Sequence, residues 1–406
     1  MANEFLTNDI ITVRALAVLD NTLNATKSIN RNYDDQFKFG GAVLGQTLNI
    51  RKPARFIGRL GQAANIESIQ ETYVPLTLAY QRGIDTQVSS QDLVLNIDEY
   101  TDRILKPQIV RLANLVNQDV CSLALGANQV VGTPGTTPTS LDTYWGAKTK
   151  LDNGAAPSGD RTTLLSPIAE QKIGNAVYTN YNPAQNISNI YEEGEMGRAL
   201  GTMFKMDQGV YVHTVGTLAG TPLVDGATQS GSSILTKTWT SSTLNAGDVV
   251  SFDNVFYVNP QTYQSTGARA QFVVTQTVTD TAGAMTISIS PAMVGPGSPL
   301  QNVNALPADN AAVFVYEVAA ASFSTITGKS SPQNMMFNKD FGTLACVDLP
   351  KPDGTDKSSR MASRKSGLSL RYIRDYIAVT DQWIQRFDIL YGVTVLRQEL
   401  VCRIAG

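Results

Sequence analysis

Histidine is almost absent from the sequence: His213 is the single one in 406 residues. That removes metal centres built on paired imidazoles and leaves any Ser-His-Asp or Cys-His chemistry to one side chain. No nucleophile elbow accompanies it. His213 sits in Tyr211-Val-His-Thr214 at an expected strand end, so a structural hydrogen bond is its expected role and a hydrolase built on it the remote alternative. Cysteine is scarce too. Cys121, Cys346 and Cys402 lie far apart without paired spacing, which excludes a disulfide framework and a cysteine-rich zinc site and reads as three buried, reduced thiols. No complete phosphate-loop motif occurs in the sequence. Gly194, Gly197 and Gly201 lack dinucleotide-loop spacing and read as turns and close packing. Asp353-Gly-Thr-Asp356 lacks the later ligands of a calcium loop and reads as a turn. No cofactor and no metal are expected.

Charge is also sparse. Charged residues make up 17% of the chain, below the usual quarter, with a net charge of −3. There is no basic field to give the whole chain affinity for duplex nucleic acid, so any contact with DNA has to be local. A surface of Gly, Thr, Asn, Gln and Ser suits a protein covered by neighbours, because interface cores are depleted in charge. An ordinary β-rich protein satisfies the same composition. The start, Met1-Ala-Asn-Glu-Phe-Leu-Thr-Asn-Asp9, lacks the basic and apolar regions of a signal peptide, and no apolar run approaches the roughly 20 residues that cross a bilayer. No membrane partner is expected, and the protein is expected in a cytoplasm.

At this length one hydrophobic core is outgrown and two or more packed units are the expectation. Ile10, Ile11, Val13, Leu16, Val18, Leu19 and Leu23 lie near helical spacing and predict an amphipathic arm that needs a partner surface. Between Phe37 and Ser89 the pattern turns to strands, with Thr47-Leu-Asn-Ile-Arg51 and the alternating Val74, Leu76 and Leu78 as the two sides of a long hairpin. Two strands alone bury too little surface to be stable, so the hairpin implies something to pack on. Asn96-Ile-Asp-Glu99 reads as a capping box opening a long helix with the stripe Ile104, Leu105, Leu112, Leu115, Val116, Val120 and Leu123. Pro107 either kinks that helix or marks its true first turn, and Gly126 is its expected left-handed stop. A strand at Thr163–Ser166 and a helix after Pro167 follow. From Thr214 to Thr327 the texture is all β, with strands expected at Asp248–Val258, Arg269–Thr279, Met285–Ser290 and Ala312–Val318, which predicts a β-barrel or sandwich. Mixed texture then returns, ending in alternating strands at Leu368–Val379 and Phe387–Val395. An all-β module interrupting a mixed one predicts an inserted domain.

One constellation stands out at the hairpin tip. Arg51, Lys52, Arg55 and Arg59 are positioned to bind phosphate or to pair with Glu67 and Glu71 of a neighbouring copy; a solvated basic face is the alternative.

The order of these elements, carried by Leu16–Asp35, Gly45-Gln-Thr-Leu-Asn-Ile-Arg51, Ile97–Asn114 with Leu105-Lys-Pro107, Gly194–Gly216 and Arg386-Phe-Asp-Ile-Leu-Tyr-Gly392 through Arg397-Gln-Glu-Leu400, resembles the tailed-phage major capsid proteins of the Hong Kong 97 fold. It is more closely similar to the branch typified by the coat protein of a short-tailed Salmonella phage, in which a β-barrel interrupts the apical domain. The resemblance covers essentially the whole chain. It implies an α+β capsid fold with an N-arm at 1–36, an E-loop hairpin at 37–89 and a peripheral domain with a spine helix at 90–150. The apical domain would begin at 151–213, the inserted barrel would occupy 214–327, and 328–406 would hold the second apical part and the peripheral return strands. The implied function is a structural protein, not an enzyme, that self-assembles as hexamers and pentamers into an icosahedral head. A scaffolding protein, a portal and double-stranded DNA on the inner face would be its partners, with assembly in the host cytoplasm and a final place in the virion. The chain is somewhat short for the branch, acidic loops in the barrel are sparse, and no crosslinking lysine transfers. Encapsulin-like shells share the fold, and a tail or fibre protein is a further alternative, although the coaxial repeats it needs are missing.

Overall fold

The computed structural model describes residues 12, 15–17, 19, 25–33, 45–58, 61–62, 66–89, 101–180, 197–352, 357–362, 368–380 and 382–406. They form two compact units, each discontinuous in sequence: Met1–Ile50 with Val74–Cys121 and Gly342–Thr394, and Arg51–Tyr73 with Ser122–Phe341 and Val395–Gly406.

The first unit is organised around helix α1, Lys106–Cys121, whose buried Ile109, Leu112, Ala113, Val116 and Val120 recur at helical spacing on one face. A π-helical turn, Thr101–Leu105, runs directly into it, and Pro107 falls at the second residue of the α-helical segment, at the junction of the two helical geometries. The expected capping box at Asn96–Glu99 lies outside the described residues. Gly126 does not provide the expected left-handed stop. The helix ends at Cys121 and runs into a 3-10 turn, Ser122–Gly126, and Gly126 is absent from the positive-φ glycines. A Cβ there would instead stand 2.8 Å from Val395 Cγ2.

The sheet of this unit joins Gly342–Val347, Gln382–Val395, Ser369–Ile377 and Lys357–Ala362 in that order, with Tyr80–Ser89 also paired to Gln382–Val395. Tyr80 faces Tyr391 across the ladder with rings stacked at 5.7 Å. Asp119 on α1 ties these strands to the helix: Arg82 donates to both of its oxygens, at 2.9 and 2.8 Å, and the Tyr391 hydroxyl donates to Oδ2 at 2.5 Å. Most of the described arm residues are covered by their own unit instead of being left bare. Ala15, Leu16 and Leu19 are buried, Thr12 bonds Ser359, the Ala25 N–H donates to Asn117 Oδ1, and Asn30 bridges to Thr343.

The second unit contains a mixed sheet in the order Gln129–Val131, Val401–Ala405, Ser330–Asn338, Arg161–Leu165, Thr202–Met206 and Arg198–Ala199, with Val212–Thr214 paired to the start of Ser330–Asn338. Helices α2, Leu141–Asn153, and α3, Pro167–Asn180, accompany it. Ser140 caps α2 by accepting the Asp142 N–H, and Tyr144, Ala147 and Leu151 bury against the Val401–Ala405 strand. Pro167 opens α3 at the position where proline is tolerated.

A second sheet of the same unit runs Val313–Val315, Val249–Val258, Ser265–Val274, Met285–Met293, Gly231–Trp239 and Gly220–Val224. Its two outermost strands approach each other, with Leu223 bridged to Ala312 and Val224 bonded to Ala311 and Asn310, so the sheet curls almost closed around Ile234, Phe252, Phe272, Ile287 and Val313. The expected strand at Ala312–Val318 is only three residues long, because Tyr316 and Glu317 take positive φ and turn the chain. Trp239 stacks on Phe323 at 6.4 Å, which draws the chain leaving the sheet back over its core. The chain entering and leaving this all-β region does so side by side: Thr214 is the register partner of Ser330.

Candidate assembly surface

The hairpin is built from Thr47–Arg51 and Tyr73–Thr77, pinned by the backbone bond from Lys52 N–H to Thr72 C=O at 2.7 Å. Beyond it the described residues of the tip form no helix or strand, and Glu67 organises them by accepting the N–H groups of Ile57 (2.9 Å) and Gly58 (2.8 Å). Large apolar side chains on the tip face solvent: Phe56, Ile57, Ile69 and Tyr73 are exposed, and Ile66 is 93% exposed. Several large apolar side chains exposed on one hairpin tip are the kind of surface feature that marks an interaction site. The sheet of the first unit presents a smaller patch where Tyr376 packs on Trp383 at 4.8 Å beneath the Arg374 guanidinium, with Val379 94% exposed in the adjoining turn.

Of the charged residues singled out at the tip, Arg51 and Glu71 pair with each other at 3.2 Å and both remain exposed. Arg55 is half-buried and bonds Glu399 at 3.1 Å, and Lys52 is half-buried, so these two are not part of a solvated face. Burial lowers the pKa of Lys52, Glu399 opposes that, and Arg55 and Arg397 add to it. Arg59 lies outside the described residues. Arg397 and Glu399 are participants that the sequence pattern did not single out as charges at this place. They come from the far end of the chain, and the only sequence signal was their membership of the Arg397-Gln-Glu-Leu400 segment.

Two polar joints hold the second unit together. His213 Nε2 lies 2.9 Å from Asp248 Oδ1, both buried, and Asp248 Oδ2 accepts the N–H groups of Gly216 (3.1 Å) and Asn245 (2.8 Å). The single histidine therefore fastens loops, as expected. At the other joint, Gln271 meets Val130, Lys150 and Glu317. Lys150 is held below its usual pKa by burial, partly offset by Cys402 and Glu317. All three cysteines are buried and none forms a disulfide. Gly197 and Gly201 take positive φ with open space around them, so they serve turns and not the close packing also expected of them; Gly194, Asp353 and Asp356 lie outside the described residues. Among the described residues, no group of three His, Cys, Asp or Glu side chains is placed to hold a metal, and no helix is long and apolar enough to cross a membrane.

Mixed α and β elements together with a nearly closed β module match a Hong Kong 97-like capsid fold. A family model described as P22 coat protein, gene protein 5, matches residues 45–404, and the chain belongs to the P22 coat protein family. It is a bacteriophage major capsid protein, a structural protein of the virion that forms a multimeric shell. No curated protein matches the sequence. Among solved structures the chain is similar to one from Mycobacterium phage Che8, with 10% identity and a TM-score of 0.46 over 94% of this chain and 90% of that one. It is also similar to the capsid of cyanophage P-SCSP1u, with 10% identity and a TM-score of 0.42 over 90% and 84%. The CUS-3 coat protein I-domain matches over 25% of this chain and 98% of its own length, with 22% identity and a TM-score of 0.20. Neither the encapsulin-like nor the tail-fibre reading gains support.

Proposed function

We propose that this major capsid protein assembles as hexamers and pentamers, around a scaffolding protein and a portal ring in the host cytoplasm, into an icosahedral head that encloses double-stranded DNA on its inner face. Its role is structural throughout, without a catalytic step or a cofactor. In this reading residues 1–36 are the N-arm, 37–89 the E-loop, 90–150 the peripheral domain and 151–213 with 328–406 the apical domain and return strands. Residues 214–327 are the inserted barrel. The observation that supports it best is the apolar tip: Ile66 and Ile69 are strongly exposed on a hairpin whose Arg51, Glu71 and Arg55 are paired within the same chain. Burial of such a cluster against another copy is favourable at about 25 cal/mol per Å2 of apolar surface. A closed symmetric shell repeats that modest contact many times. We assign Arg51, Lys52, Arg55, Arg59, Glu67 and Glu71 to the subunit contact, with Arg51 and Glu71 the most accessible.

Electron microscopy of the purified chain, alone and with a candidate scaffolding protein, tests this. Closed shells or tubes are expected. A compact monomer at every concentration, with or without scaffold, would overturn the proposal.

A further inference from the structure

The second unit contains a solvent-open cavity of about 230 Å3 in whose lining cations outnumber anions. Lys52 and Arg55 reach it from the hairpin tip, and Arg397 and Glu399 from the loop before the last strand. Glu399 is the one carboxylate in the lining, and Arg55 bonds it at 3.1 Å. Lys52 and Arg397 have no side-chain hydrogen bond or ion pair among the described residues.

Of the other polar groups of the lining, Asn302 and Gln398 hold the walls, whereas Asn128 Oδ1 is buried without a partner among the described residues. Asn302 accepts the Val294 N–H (2.8 Å) and donates to the Ala292 carbonyl (2.7 Å). Gln398 donates to the Gly126 carbonyl and to Ser290 Oγ, both at 2.9 Å. These walls are thus fixed before anything enters, and the uncommitted donors of the lining include an ammonium and a guanidinium beside the Tyr257 hydroxyl. Gathering three cations around one carboxylate, in a chain whose net charge is negative, costs free energy through desolvation and mutual repulsion. The lowered pKa of Lys52, caused first by burial, is the signature of that cost. An anion in the cavity would reverse both effects.

We propose that this cavity is a binding site for a phosphoryl oxyanion, of the size of phosphate or diphosphate, held by Lys52 and Arg397 with Arg55 bridging it to Glu399. Guanidinium and ammonium groups are the two side chains that recognise such oxygens, the first through its planar fork and the second as a point charge. The volume is below that of a pocket for a drug-sized ligand, which favours a small free anion over a phosphodiester embedded in duplex DNA. Since Lys52 and Arg55 ride on the hairpin tip and Arg397 does not, an occupied site fastens the tip. The inference goes beyond the capsid reading and does not depend on it, because binding is measured on the unassembled chain.

Titration calorimetry of the full-length protein with inorganic phosphate and with pyrophosphate, at constant ionic strength set by chloride, tests the site. Saturable one-to-one binding is expected. Lys52→Met and Arg397→Met should each weaken it about tenfold, as loss of one charge-assisted hydrogen bond predicts. Lys52→Arg and Arg397→Lys keep the charge and should retain most of the affinity, which separates loss of the site from loss of the fold. A second arm uses a short DNA duplex. Weaker binding than pyrophosphate assigns the site to a free anion, and tighter binding that is equally sensitive to Lys52→Met assigns it to the DNA backbone. Binding that does not saturate, or that is unchanged in both methionine variants, overturns the proposal.

Discussion

Gln271 grips Val130 by both of its backbone hydrogen-bonding groups: Oε1 accepts the Val130 N–H at 2.8 Å, and Nε2 donates to the Val130 carbonyl at 3.1 Å. The amide thereby imitates a strand partner. Lys150 completes the joint, donating to the same Gln271 oxygen at 2.6 Å and to the Val130 carbonyl at 2.8 Å. Replacing Gln271 by Leu leaves a buried N–H and a buried ammonium short of an acceptor. The expected loss is about 3 kcal/mol, given roughly 1–3 kcal/mol for each unsatisfied group. Urea denaturation measures it. Because the two side chains share one contact, Gln271→Leu and Lys150→Met together should cost less than the sum of the two alone. Strict additivity would show that the joint is not a unit.

Asp248 carries three donors on one fully buried carboxylate. Asp248→Ala strips all of them of their acceptor and should destabilise the protein by about 3–5 kcal/mol, in the range for breaking a buried charged network. Asp248→Asn keeps one acceptor oxygen and should cost less. Equal midpoints for the two variants in chemical denaturation would contradict this account.

Burial pushes the Cys402 thiol up to about 12 from its ordinary 9.0, with Lys150 and Arg403 acting in the opposite direction. The folded chain holds this proton more tightly than the unfolded chain. The resulting stability is fully present below pH 9.0 and is lost as the pH climbs toward 12. In a Cys121→Ser, Cys346→Ser background, thiol titration with a chromogenic disulfide should find Cys402 unreactive at pH 9 and reactive once the chain unfolds. Rapid labelling of native protein at that pH would refute the prediction.

Gly392 lies where the return strand passes the base of the hairpin. A Cβ there would fall 2.3 Å from the Thr77 carbonyl oxygen and 2.9 Å from its carbon, both backbone atoms that cannot swing aside. Gly392→Ala should destabilise the first unit by about 2 kcal/mol or more, as overpacking does. An unchanged thermal midpoint would mean that the strands move apart freely.

Ile66→Asp and Ile69→Asp alter the most exposed apolar residues of the tip. Monomer stability should stay within about 0.5 kcal/mol of the parent, the usual range for surface changes away from special features. Shell formation, followed by sedimentation, should fall at least about tenfold if each contact carries on the order of 1.4 kcal/mol. Normal shells from the double variant would remove the tip from the interface.

What the sequence disclosed depended on how each segment is buried. Helix α1 shows one apolar face, so its periodicity was readable, whereas Ser369–Ile377 and Gln382–Val395 were readable by their length and their aromatic and β-branched residues, since residues 387–392 are buried without a break. Val401–Ala405 is buried at all five residues and Gln129–Val131 is very short, so neither has a period to find. Gly220–Val224 and Gly231–Trp239 are rich in Thr, Ser and Gly, and only their register with better-marked strands makes them β. At the tip, Arg51 and Glu71 could be picked as complementary charges from composition alone. Arg55–Glu399 could not, because 344 residues separate the partners and local chemistry holds no trace of the pairing.

The pairing of Thr214 with Ser330 has a topological consequence. A chain that departs and returns at opposed positions of one ladder leaves no gap behind it. Cutting out everything between them and splicing in a two-residue reverse turn would give an ordinary β-hairpin, its strands already in register. The excursion therefore imposes no length or curvature on the sheet from which it grows, and it is free to lengthen, shrink or change its outer loops without altering the spacing of the strands beneath.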